Sequence, residues 1–231
     1  MLSQLKKEIE SYASPEKAKI YARFFKTGKG QYGEGDKFLG LTVPEQRKLA
    51  QKYVNLSFDY IKELLHSEYH EHRLTGLFIL VYNYGKVKDN EKQKIIDFYL
   101  KHKHRGNNWD LIDCVADKLL GKHIIDIDKS ILYELAKSEN LWDRRIAIIT
   151  TFEFIRNKKF DETIKIAEIL LKDEHDLIHK AVGWMLREMG KRDEKELIKF
   201  LDKHYKKMPR TMLRYAVERL NERRKKIYMR K

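Results

Sequence analysis

The chain has a single cysteine, Cys114, three prolines and eleven glycines among its 231 residues. One thiol excludes an intrachain disulfide, and a reducing cytoplasmic setting is expected. No apolar run approaches the length of a membrane span. The N-terminal stretch MLSQLKKEIESY patterns as an amphipathic helix rather than a signal sequence, so no membrane partner is expected. Strand-like alternation of β-branched residues is almost absent. So are a P-loop, a catalytic triad and a CxxC pair. His66, His70 and His72, in HSEYHEHR, match neither H-E-x-x-H nor a cysteine–histidine zinc spacing, and they read as solvated histidines at a helix boundary. His102 and His104, in KHKHRG, read as a basic helix end that complements the helix dipole. No metal and no cofactor are expected.

One stretch argues the other way. Five of the glycines lie between 28 and 40, and TGKGQYGEGD places Gly28, Gly30 and Gly33 at the G-x-G-x-x-G spacing of dinucleotide-binding folds. That fingerprint works only where a strand runs in and a helix runs out. Here PEKAKIYARFFK precedes it, with Ile20, Tyr21, Phe24 and Phe25 at helical spacing, and no helix restarts until near Pro44. The expected structure is a glycine-rich connection between two helices.

What the chain has in abundance is Lys, Glu, Leu and Ile, all compatible with helix. Helices are expected at roughly 2–12, 15–26, 43–54, 57–66, 70–85, 90–102, 108–120, 129–138, 142–157, 161–172, 175–190, 193–205 and 209–223, with Ser14, Ser57, Asp89, Asn108 and Asp161 as candidate caps. The class is all-α, in one domain over 1–231 with a basic tail at about 222–231. That tail, ERRKKIYMRK, reads as a trailing arm on phosphate or a frayed end. The formal net charge is +14, which points to a polyanion, nucleic acid first.

The helices repeat. Arg73, Trp109, Arg145 and Lys180 fall into register at steps of 36, 36 and 35 residues, a period typical of HEAT-like helix pairs stacked in a curved solenoid. The four would line one ladder on a basic concave face. One turn on, the ladder reads Leu77, Asp113, Ile149 and Trp184: three apolar residues and one carboxylate. Asp113 shares a helix face with Trp109, four residues earlier. A carboxylate where its equivalents are apolar must be paired or used. An ion pair with Arg145 is one possibility, and a functional acid is the other.

Five segments carry a resemblance: RFFKTGKGQYGEGDKFLGLTVPEQRKLA, NNWDLIDCVADKLLG, ENLWDRRIAIITTF, HKAVGWMLREMGKRD and MPRTMLRYAVERL. Over roughly residues 15 to 220 the chain resembles the DNA alkylation repair glycosylases of the AlkD type. The resemblance implies a HEAT-like helical-repeat fold. It also implies hydrolysis of the N-glycosidic bond of cationic N3- and N7-alkylated purines in double-stranded DNA. By motif, WDLID supplies Trp109 and Asp113, WDRR supplies Arg145 with Arg144 beside it, and GWMLRE supplies Trp184. Trp142 lies off the ladder and reads as core.

A cationic purine leaves as a neutral base, so one carboxylate, Asp113, suffices to stabilise the sugar cation and orient water. The indoles of Trp109 and Trp184 offer electron-rich faces to that cation. Arg73, Lys180, Arg144 and Arg145, with Arg210 and Arg214 four apart, are the expected phosphate contacts of a monomer on duplex DNA. No deep base pocket is legible. Two other functions fit an all-α basic chain: a non-catalytic HEAT-like protein that recognises duplex shape, and a helical scaffold for a protein partner.

Overall fold

A computed structural model describes residues 1–230. It is all-α: among the described residues the one extended pairing is an isolated bridge between Lys37 and Tyr69. The chain divides into two compact units, 1–115 and 116–231.

The first unit comprises α1 (Leu2–Ser11), α2 (Pro15–Phe24), α3 (Val43–Lys52), α4 (Phe58–Leu65), α5 (His70–Tyr84), α6 (Asp89–His102) and α7 (Trp109–Asp113). Ser14 caps α2 through Lys17 N–H, and Thr42 with Glu45 forms a capping box on α3. α5 is the centre. Every residue from His70 to Leu80 is buried, and the apolar stripes of α3 and α4 pack against it. The glycine stretch joins α2 to α3, as its setting between helices requires. Gly40 has φ of +93°, and a side chain there would collide with the Ser14 carbonyl.

The second unit begins with a π-helical turn (Asp117–Gly121). It continues through α8 (Lys122–Ile124), α9 (Ser130–Ala136), α10 (Leu141–Arg156), α11 (Asp161–Ile169), α12 (Asp176–Gly190), α13 (Glu194–His204), α14 (Arg210–Ala216) and α15 (Glu222–Met229). α12 packs on both α10 and α14. Gly183 permits the second contact: a Cβ on it would lie 2.5 Å from the Met212 carbonyl oxygen and 2.5 Å from Tyr215 Cβ. Gly183→Ala is therefore expected to destabilise this unit by about 1–3 kcal/mol, the usual range for overpacking, read as a lower urea midpoint at unchanged slope.

Four expectations are corrected. The single helix over 108–120 is broken: α7 ends at Asp113, three residues form a turn, and the backbone then widens into the π-turn, where Gly121 N–H reaches the Ala116 carbonyl. The helix at 209–223 stops at Ala216. Within the basic tail, Glu222–Met229 is not frayed but forms α15, capped by the Asn221 side chain on Arg224 N–H and docked by buried Tyr228, whose hydroxyl donates to Asp202 at 2.7 Å. Asp89 and Asp161 prove to be first-turn residues, not caps.

Candidate active site

In the first unit, four consecutive residues, Asn107 to Asp110, tie α7 in place. Asn107 Nδ2 donates to Asp36 at 2.9 Å. Asn108 caps α7 through Trp109 N–H, and its Nδ2 donates to the Phe25 carbonyl at the end of α2. Trp109 stacks on Phe25 (ring centroids 5.1 Å apart, planes at 29°) and meets Phe24 edge-on at 5.8 Å. Asp110 accepts from His70 Nε2 at 2.8 Å. Trp109 and Asp113 are both half-buried.

Beneath them lies an interior ionic network. Arg73 Nη2 donates to Asp36 at 2.7 Å, and Asp36 also faces His70 Nδ1 at 3.3 Å. Burial works against the His70 imidazolium, but the Asp110 carboxylate, with help from Asp36, outweighs it and pushes the group up to about 9. Burial likewise opposes the Asp36 carboxylate, yet its bonds from His70 and Asn107 and the charge of Arg73 hold it below its usual range. Two residues along α5, His72 goes the other way. Burial, then Lys6 and Arg73, push it down to about 4, and its Nδ1 lies 2.9 Å from Ser67 Oγ. The expectation of solvated histidines therefore holds for His66 alone of the three. Beside His72, the Glu71 carboxylate accepts from the backbone N–H groups of Leu39, Gly40 and Leu41, fixing the connection that carries Asp36 and Phe38.

Arg73 is the clearest correction among the expected phosphate contacts. It is 2% exposed and committed to Asp36 and the Ser67 carbonyl, so it serves the interior rather than a DNA-facing ladder. The ladder one turn on divides sharply: Leu77 is 6% exposed and Ile149 0%, whereas Asp113 and Trp184 are half-buried. A cavity of about 360 Å³, not anticipated from the sequence, opens beside the network, walled by Tyr21, Phe24, Phe25 and Phe38 with His70 and Asp110.

In the second unit, Trp184 on α12 leans on Phe152 of α10 at 5.7 Å, and the Arg156 guanidinium covers that phenyl ring at 4.0 Å. Arg145 is buried, with Nη1 donating to the Leu177 carbonyl at 2.6 Å. Arg144 Nε donates to Asp173 at 2.6 Å, and Lys180 pairs with Asp176 one turn earlier on α12. Arg210 is exposed, reaching the Met229 carbonyl, and Arg214 is exposed as well. Trp142 is half-buried in the first turn of α10 rather than in the core. Among the described residues no group of three or more His, Cys, Asp or Glu is placed to hold a metal ion, and no helix is long and apolar enough to cross a membrane.

Sequence reasoning missed Asp36, His70 and Asp110. The signal was present in HEHRLTGLFIL: a helix with no polar stripe is buried all round, so its polar residues must find partners inside.

The architecture defines an all-α helical-repeat protein of the kind found in DNA alkylation repair enzymes. The family model for the DNA alkylation repair enzyme matches residues 5–220, and the chain belongs to that family. Its fold is similar to that of a predicted DNA alkylation repair enzyme from Enterococcus faecalis, with a TM-score of 0.70, 16% identity, and coverage of 91% of this chain and 97% of that one. No curated protein matches the chain.

Proposed function

We propose that the protein is a DNA glycosylase that hydrolyses the N-glycosidic bond of N3- or N7-alkylated purines in double-stranded DNA. The observation that carries this is Asp113. In a register whose other members include the core residues Leu77 and Ile149, a carboxylate stands half-buried, one turn from half-buried Trp109.

As the C1′–N bond breaks, its electron pair neutralises the cationic base, which departs without a general acid. Positive charge develops on the sugar, where the Asp113 carboxylate stabilises it. Water adds to C1′, and its proton passes to Asp113 and on to solvent. No step needs a metal or cofactor. The indole of Trp109, braced by Phe24 and Phe25, and that of Trp184, braced by Phe152, offer faces that attract a cation. Arg210 and Arg214 are the most accessible candidates for phosphate contact. Lys180 would exchange its Asp176 partner for a phosphate at small cost, since that pair is solvent-exposed, whereas Arg144 is held by the buried Asp173 carboxylate and the Ser138 and Glu139 carbonyls. Arg145 is the least accessible of the set, and its bond to the Leu177 carbonyl links α10 to the start of α12.

The test is incubation with a duplex carrying 7-methylguanine. Free 7-methylguanine and an abasic strand are the expected products. Tight, salt-dependent duplex binding with no base released would favour the second reading, a non-catalytic protein that recognises duplex shape.

A further inference from the structure

We propose that His70 is a positioning residue for α7: clasped between Asp36 and Asp110 and stacked beneath Phe25, it fixes where Trp109 and Asp113 stand without touching the substrate. The proposal rests on the glycosylase reading for its kinetic consequence, but not for its structural one.

The helix that carries Trp109 and Asp113 is only five residues long. A helix of that length does not hold itself by its own hydrogen bonds, so its placement depends on what tethers it. The tethers are Asn107 to Asp36, Asn108 to the Phe25 carbonyl, and Asp110 to His70. The last lies inside the helix, one residue after Trp109 and three before Asp113. His70 is also joined to Trp109 by a second route. Its ring stacks on Phe25 at 5.1 Å and on Phe38 at 4.6 Å, and Phe25 in turn stacks on Trp109.

Both ring nitrogens of His70 face carboxylates, Asp36 from the α2–α3 connection and Asp110 from α7. Only the imidazolium donates to both. A neutral ring keeps one N–H and must release one partner. The other charges near His70 are on α5 itself: Arg73, already bound to Asp36, and Glu71, whose carboxylate faces backbone N–H groups. α2 presents Tyr21, which shares the cavity wall with His70, and just past its end Phe25 supplies the stacked ring. Folding raises the His70 pKa from 6.5 to about 9, so the stability the clasp contributes is fully present below about pH 6.5 and is lost as pH rises through about 9. At neutral pH the ring carries its proton and α7 is held at both points.

The experiment pairs single-turnover release of 7-methylguanine from pH 6 to 10 with NMR of the Trp109 indole N–H, assigned by loss of its signal in Trp109→Phe. In the wild type, the rate should fall along an alkaline limb centred near pH 9, and the indole resonance should move with the same midpoint. His70→Asn should lower the rate about 10- to 100-fold at neutral pH, leave duplex affinity within about threefold and flatten that limb. Asp110→Asn should shift the limb to lower pH, because it removes the carboxylate that most favours the imidazolium. A limb set by the lesion's own ionisation would stay put in both variants and would overturn the proposal. So would a Trp109 resonance in the wild type that ignores the His70 titration. If the wild type releases no base at all, the glycosylase reading fails, and the indole titration decides the positioning role by itself.

Discussion

Asp113→Asn is expected to lower single-turnover release of 7-methylguanine by about 10²- to 10³-fold, the scale seen when one group aimed at developing charge is removed. Duplex affinity should stay within about threefold, because the carboxylate makes no favourable contact with phosphate. The amide keeps the shape of the acid, so the half-buried position on α7 need not repack. It loses the negative charge that the proposed mechanism sets against the sugar cation, and with it the capacity to take a proton from water. Fluorescence anisotropy with the same duplex checks the binding half, and quantification of free base checks the chemical half. Release at the wild-type rate would remove Asp113 from the mechanism.

Asp36→Ala is expected to destabilise the first unit by about 3–5 kcal/mol, the cost of leaving a buried charge without its partner. Asp36 is buried and faces two cations at once, the Arg73 guanidinium and the His70 imidazolium, and it also accepts from Asn107. Removing it leaves Arg73, 2% exposed, with no carboxylate at its Nη2. Urea unfolding followed by Trp109 fluorescence, in a background with Trp142→Phe and Trp184→Phe, measures the effect. A loss below about 1 kcal/mol, the size of a surface ion pair, would show that the network is solvated.

The two large effects separate what the sequence displays from what it conceals. The all-α class follows from breaker-poor amphipathic segments, and most helices lie within a few residues of where capping and periodicity put them. The 36-residue register marks Asp113 as the odd member of its set, because a position filled by apolar residues in other repeats and by a carboxylate in one is visible by alignment alone. Arg73 stands in the same register and has the opposite fate. Register gives the position of a side chain along a helix, not whether the space around it is filled. Its partner Asp36 lies 37 residues away in a glycine-rich connection with no periodicity to read. His70 was hidden for a related reason: a histidine at a helix boundary is more often solvated, and both of its partners come from other segments. Where α7 ends was also illegible, since Cys114 to Ala116 are composed like helix and depart from it only where the backbone widens toward Gly121. The docking of α15 depends on Tyr228 meeting Asp202, another pairing that composition does not announce.

In the proposed mechanism one carboxylate suffices because the leaving base brings its own positive charge. Single-turnover base release from two matched duplexes, one carrying 7-methylguanine and the other uracil at the same position, tests it most directly. Release of 7-methylguanine with the uracil duplex left intact is the expected result. Equal release of the neutral base would require a proton donor that Asp113 does not supply, and would contradict that mechanism.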